Sequence, residues 1–219
     1  TRPAAPAEPI RIGEAVFPAH AATALIGPNG AGKSTLLGRV AGRLRSDTPV
    51  LLGARVLDAP GTRPVPPHRR GVVLLTQNPG LPPTTTALGA VAMVSGEPRA
   101  AELLRAAGLS ELAGVPVTAL SGGQAAQVAL VRALAARPGA LLLDEPFANL
   151  DTDAAREWRD LLAAAAEDRT TVVITHDRKD VAALCAHTAV MERGEVVALR
   201  PTAAETAEPS TAFSAHLLA

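Results

Sequence analysis

From about residue 10 onward, short apolar runs alternate with stretches of helical spacing. Residues 22–26 (ATALI) predict a buried strand, followed by a glycine-rich turn and a helix from Lys33 to about residue 44. Residues 72–76 (VVLLT), 140–143 (ALLL) and 172–175 (VVIT) predict three more short strands, the last β-branched. Helical patterns lie at about 123–136, 153–167 and 178–187. Strands alternating with helices imply a mainly parallel sheet covered on both faces. The stretch 80–137 is different: Ala/Leu-rich, helically spaced and without a convincing strand, it predicts a helical insertion between two strands. Residues 1–9 (TRPAAPAEP) predict an extended linker or a frayed end. No internal repeat and no coiled-coil heptad pattern is present.

Composition narrows the class. Hydrophobic residues make up 47% of the 219 residues and charged residues 19%, enough apolar material for a sizeable core. Lys+Arg and Asp+Glu both number 21, so bulk charge gives no affinity for nucleic acid or anionic lipid. No apolar run approaches the roughly 18 residues of a membrane span, and no signal-peptide core is present. A single cysteine, Cys185, excludes an intramolecular disulfide framework and a cysteine-based zinc site. Together these read as a soluble, cytosolic globular protein. The chain begins at Thr1, which implies either processing or excision from something longer. Only four aromatics occur, Phe17, Phe147, Trp158 and Phe213; Trp158 and Cys185 are expected to be packing residues of helices.

Candidate chemistry starts at residues 27–35, GPNGAGKST. Gly27, Gly32, Lys33 and Ser34 match G-x-x-x-x-G-K-[ST] in full, between a predicted strand and a predicted helix. Such a loop wraps phosphates with inward-pointing N–H groups, which glycine permits and the helix start reinforces. Pro28, Asn29, Gly30, Ala31 and Thr35 complete the expected nucleotide cradle. Lys33 can reach the β- and γ-phosphates, and the Ser34 hydroxyl can ligate Mg²⁺. The sequence therefore predicts binding of a nucleoside triphosphate.

Two further segments, LSGGQ at 120–124 and GALLLDEP at 139–146, join this loop in a fixed order. With Gln77, Asp151 and His176 they make the chain resemble the nucleotide-binding domain of ATP-binding cassette (ABC) proteins across nearly all of residues 10–219. The resemblance implies an α/β fold: a P-loop NTPase core with a mainly parallel sheet, flanking helices, a small antiparallel N-terminal part and an inserted helical subdomain. Residues 10–79 and 138–219 would form the ATPase core, and 80–137 the helical subdomain carrying the signature.

It also implies roles. Asp144 matches the acid that holds Mg²⁺, together with Ser34 and Gln77; Glu145 matches the carboxylate that orients the attacking water. Gln77 matches the glutamine that senses Mg²⁺ and the γ-phosphate, and His176 the switch histidine. Asp151 matches the acid of the loop that crosses the subunit interface. Ser121, Gly122, Gly123 and Gln124 match the signature that meets a nucleotide held by a second copy. The implied cofactors are ATP and Mg²⁺. The implied partners are a second copy, transmembrane permease subunits and, indirectly, a solute-binding protein, with no nucleic acid. The implied location is peripheral, at the cytoplasmic face of the membrane.

Three departures from the family pattern stand out. No aromatic precedes Phe17, and Phe17 falls at a core strand position of the family and is expected to pack inside, so the usual adenine-stacking group is missing, at a cost of about 1–3 kcal/mol. Ala125-Ala126-Gln127 follows LSGGQ where a Gln-Arg pair is common, so the basic residue expected at 127 is absent. Only 43 residues separate Gln77 from Ser121, so the helical insertion is compact.

That spacing cannot hold the long coiled coil of DNA-maintenance relatives, and a single cassette is unlike translation-factor relatives. The segment VPPHRRGVVLLTQNPGLPP resembles importer ATPases for oxyanions such as molybdate and sulfate, and for thiamine or polyamines. The reading is therefore an uptake ATPase for an oxyanion or another small solute. The alternatives are an exporter subunit or a soluble cassette ATPase of cofactor or cluster assembly. The end of the chain resembles the point where the catalytic portion of such importers finishes, without their extra C-terminal domain. The Pro/Ala-rich start is either a linker to an upstream permease or a ragged end.

Overall fold

A computed structural model describes residues 5–78 and 80–219. The chain opens with β1 (Ile10–Ile12) and β2 (Ala15–Phe17), then β3 (Ala21–Ile26), the phosphate loop and α1 (Lys33–Ala41). β4 (Val50–Leu52) and β5 (Arg55–Asp58) follow, and then β6 (Val72–Leu75). Three helices come next: α2 (Ala87–Ser95), α3 (Glu97–Ala106) and α4 (Gly122–Ala135). β7 (Ala140–Asp144), α5 (Thr152–Ala166), β8 (Thr170–Ile174) and α6 (Arg178–Leu184) rebuild the alternation. The chain finishes with β9 (His187–Glu192), β10 (Glu195–Pro201), α7 (Thr202–Ala207) and α8 (Ala212–Leu218).

Two sheets result. A four-stranded antiparallel sheet has the order β2-β1-β4-β5, and a six-stranded sheet the order β10-β9-β3-β8-β7-β6. In the larger sheet every pairing is parallel except β10 with β9. The mainly parallel sheet, the antiparallel N-terminal part and the helical insertion expected from the sequence are all present. Parallel strands covered on both faces need apolar residues at successive positions. Leu141 and Leu143 point into one core with α4 and α5, while Leu142 points into the other with α1 and the small sheet. Val173 and its neighbours Val172 and Ile174 divide in the same way. Phe17 and Trp158 are buried as expected.

Several boundaries differ from expectation. The first helix stops at Ala41, because Gly42 adopts φ +80° and returns its N–H to the Arg39 and Gly38 carbonyls. The helix expected over 178–187 stops at Leu184: His187 and Thr188 pair with Thr23 and Ala24 and so start β9. Cys185 is buried at the end of that helix and not within it. β8 begins at Thr170, two residues earlier than expected, its two threonines buried beside β3. Residues 5–9 are not a free linker. Ala5 N–H donates to the Arg137 carbonyl at 3.3 Å, Thr170 Oγ1 donates to the Glu8 carbonyl at 2.6 Å, and Gly53 N–H donates to the Pro9 carbonyl at 2.9 Å. The part of that expectation on residues 1–4 lies outside the described residues, as does Pro79 at the edge of the helical insertion.

Candidate functional site

The order β3-β8-β7 places three parallel strands side by side, so their C-terminal ends open at one edge of the sheet. β3 delivers the phosphate loop there, β7 delivers Asp144 and Glu145, and β8 delivers His176. Open α/β sheets place ligands outside the carboxyl ends of their strands. A cavity of about 270 Å³ lies at this point. Asn29, Gly30, Gly32, Lys33, Ser34 and Thr35 line one side; Asp144, Glu145, Ile174 and His176 line the other.

The loop has the conformation of an anion cradle. Gly27, Gly30 and Gly32 all have positive φ, and a Cβ at Gly27 would collide with the Met191 carbonyl, which excludes larger residues there. Gly32 is the N-cap of α1 and contributes no side-chain cap, so the first-turn N–H groups face the cavity mouth without intrahelical partners. Lys33 is buried, its Nζ donating to the Gly27 and Pro28 carbonyls at 2.7 and 3.0 Å. Burial holds its pKa below the ordinary lysine value, opposed by the carboxylates of Asp144 and Glu145. Ser34 and Thr35 are exposed at the helix start.

Glu145 sits in the left-handed region, φ +50°, which costs a non-glycine residue energy and re-aims its side chain at the strand end. Its N–H donates to the Ile174 carbonyl at 3.0 Å, fastening the end of β7 to the end of β8. His176 Nε2 lies 3.7 Å from Glu145 Oε1, both side chains about one-third exposed. The His176 ring also meets the edge of Phe213 in α8, ring centroids 6.5 Å apart and planes at 82°.

Other sequence-predicted residues lie elsewhere. Gln77 is exposed, two positions beyond Leu75, and does not line the cavity. Ser121 is the N-cap of α4 and forms a capping box with Gln124: Gln124 N–H donates to Ser121 Oγ at 3.2 Å, and Ser121 N–H to Gln124 Oε1 at 3.0 Å. Ser121 and Gly122 are exposed, and none of the signature residues lines the cavity around Lys33. Gly123 packs against the Asn149 carbonyl, 2.9 Å from where a Cβ would stand, so the signature start touches the loop that follows Glu145. Asp151 caps α5, accepting from Ala154 N–H at 2.9 Å.

A larger groove of about 640 Å³ continues from Gly32 and Thr35, between the turn at Gly13–Glu14 and the turn at Gly194. Leu36, Met191 and Val196 give it apolar surface, and no aromatic lines it among the described residues. Sequence reasoning missed the side chains beneath His176, namely Thr175, Arg159 and Asp180. Arg159 and Asp180 read as ordinary helix-surface charges, and no local pattern marks them.

The donor set suits a hard divalent cation. The Ser34 hydroxyl and the Asp144 carboxylate face one cavity, and no cluster of three or more His, Cys, Asp or Glu side chains capable of holding a metal occurs among the described residues. Mg²⁺ is typically bound by one or two such groups, with phosphate oxygens and waters completing its shell.

The ABC transporter family profile matches residues 15–148, more than half of the chain. This chain is an ABC transporter family member. The ABC chain is similar to the Fe(3+) ions import ATP-binding protein FbpC of Streptomyces avermitilis, 36% identical over 91% of this chain and 60% of that one. It is similar to the molybdenum import ATP-binding protein ModC of Mycobacterium tuberculosis, 39% identical over 89% of this chain and 57% of that one. It is also similar to the sulfate/thiosulfate import ATP-binding protein CysA of Mycobacterium bovis, 36% identical over 83% of this chain and 54% of that one. The ABC chain thus spans between 54% and 60% of the length of these relatives. Its fold is that of a dimeric, post-hydrolysis ATP-binding cassette bound to ADP and Pi, with a TM-score of 0.76 and 24% identity over 90% of this chain and 96% of that one.

Proposed function

We propose that this ABC chain is the ATP-binding and ATP-hydrolysing subunit of an importer, driving uptake of a small solute through a membrane permease. The observation that carries the reading is the convergence of Lys33, Ser34, Asp144, Glu145 and His176 on one cavity. Three relatives named as import ATP-binding proteins support the direction. The solute class is an oxyanion of the molybdate or sulfate kind, supported by the two relatives named for molybdenum and for sulfate/thiosulfate. Residues 10–79 and 138–219 act as the ATPase core and 80–137 as the helical subdomain.

In this reading the phosphate loop and α1 bind the triphosphate through backbone N–H groups, and Lys33 leaves the Gly27 and Pro28 carbonyls for the β- and γ-phosphates. Ser34 and Asp144 would hold Mg²⁺, with Gln77 approaching on closure, and bound there the ion would supply positive charge to the phosphate oxygens. Glu145 orients a water in line with the γ-phosphorus, and His176 fixes Glu145 and the γ-phosphate relative to one another. The exposed start of α4, with Ser121, Gly122 and Gly123, completes the site of a second copy, and Asp151 lies at that junction. Two copies therefore sandwich two ATPs. Opening after hydrolysis passes through the Gln77 region and the helical subdomain to the permease.

Among the described residues no helix is long and apolar enough to cross a membrane. The chain works at the cytoplasmic face, held there by its permease. Gel filtration of a Glu145→Gln variant with ATP and Mg²⁺ tests the arrangement: a dimer is expected, and a persistent monomer at high concentration overturns it. Uptake of radiolabelled molybdate and sulfate into vesicles holding the permease and this chain tests the solute. ATP-dependent accumulation of neither anion overturns the oxyanion assignment.

A further inference from the structure

A second cavity, about 290 Å³, lies behind Glu145 and His176, and its floor carries charge. Arg159 of α5 and Asp180 of α6 are 11% and 5% exposed and are joined by a 2.6 Å hydrogen bond from Nε to Oδ1. The other oxygen of Asp180 accepts from the Thr175 hydroxyl, and Thr175 Oγ1 in turn accepts from Asp177 N–H at 3.0 Å. Both residues flanking His176 are therefore tied to Asp180. Arg159 makes two more contacts: its guanidinium lies 3.6 Å from Asp177 Oδ2 and 5.4 Å above the ring centroid of Phe147. Phe147 belongs to the turn that begins at Glu145, where Ala148 N–H donates to the Glu145 carbonyl at 3.3 Å.

We propose that Arg159, held by Asp180, is a positioning residue that sets the spacing between Glu145 and His176, because one buried guanidinium touches both the turn carrying one and the loop carrying the other. The proposal rests on the role assigned to that pair above. Directly, the two strand ends are joined by the Glu145-to-Ile174 backbone bond and by the loose 3.7 Å approach of His176 to Glu145. A buried guanidinium adds what that bond lacks: a planar donor fork fixes the His176 loop through the two aspartates, and its face fixes Phe147. A charge pair as buried as Arg159 and Asp180 tolerates few alternative geometries, so the groups bonded to it move together. Reacting groups displaced by about 1 Å lose about 100-fold in rate.

Removing one charge alone would leave the other buried and unpaired, and such a protein can fail to fold. The test therefore uses the double variant Arg159→Met/Asp180→Asn, in which the asparagine carbonyl still accepts from Thr175, and the conservative Arg159→Lys. Both are compared with the parent by thermal melting, by kcat and KM for Mg-ATP, and by the imidazole ¹H–¹³C signals of His176, assigned with His176→Gln. The expected result for the double variant is a cooperative melt, KM within about twofold, kcat lower by about 10- to 100-fold, and a shifted or broadened His176 signal. Arg159→Lys is expected to recover part of kcat. A folded double variant with parental kcat and an unmoved His176 signal overturns the proposal. Parental turnover in Glu145→Gln would instead overturn the catalytic reading of the pair, while the His176 signal still reports on its positioning.

Discussion

The His176 imidazole stands 3.7 Å from the Glu145 carboxylate, on loops that leave adjacent parallel strands. That distance is too long for a direct hydrogen bond and short enough for both groups to engage one small ligand between the strand ends. Glu145→Gln keeps the shape and removes the charge. It is expected to bind ATP like the parent while kcat falls by about 100-fold or more, measured as phosphate release. Lys33→Ala is expected to behave differently, losing ATP binding itself in a direct titration. Equal turnover in Glu145→Gln and the parent would remove Glu145 from its role.

The groove beyond Thr35 has apolar walls and no aromatic among the described residues. Glu14 is exposed at its rim, in the turn between β1 and β2. A ring placed there can stack on a nucleobase, so Glu14→Tyr is expected to tighten ATP binding by about 1 kcal/mol or more, roughly fivefold. Calorimetry checks this, and unchanged affinity would show that the base lies elsewhere.

Glu205 gives the fold an acid-sensitive point. Its side chain is fully buried, and burial by itself would raise its pKa. Hydrogen bonds from Ser214, Ser210 and Arg200 more than offset that, so the carboxyl stays below its ordinary value. A lowered acid binds fewer protons folded than unfolded. Its stabilisation is therefore complete above the ordinary glutamate range and is lost as pH falls through the lowered value. Glu205→Gln is expected to lower stability by about 2 kcal/mol at pH 7 and by progressively less as pH falls below the ordinary glutamate range. Melting curves across that range decide it; a pH-independent difference would contradict the assignment.

Cys185 is buried, and that burial, with the charge of Asp180 as a smaller contribution, pushes its thiol up to about 12. The thiolate is the reactive form. Native protein at pH 8 is expected to resist a thiol-modifying disulfide reagent, and denatured protein to react at once. Rapid labelling of the folded chain would mean that the end of α6 opens readily.

Much of this architecture was legible from residue order, and the exceptions have physical causes. β3, β6, β7 and β8 were visible because strands buried on both faces carry unbroken apolar runs. β1, β2, β4 and β5 hold only three or four residues each, too few for an alternation to register. β9 was obscured by helix-like text running through His187, whose pairing with Thr23 comes from 164 residues upstream. The phosphate loop and the Asp144–Glu145 pair are local strings, so their placement could be read directly. Arg159 and Asp180 lie 21 positions apart on different helices, and only tertiary packing brings them under His176.

The parallel pairing of β3, β8 and β7 makes the sheet act as a ruler for the groups that line the cavity at its strand ends. Each residue of strand advances the chain by about 3.3 Å and reverses the side on which the next side chain emerges. Loss of a single residue from β8 would thus draw His176 back by one rung and turn it toward the opposite layer, leaving every motif in the sequence intact but the groups out of reach of each other.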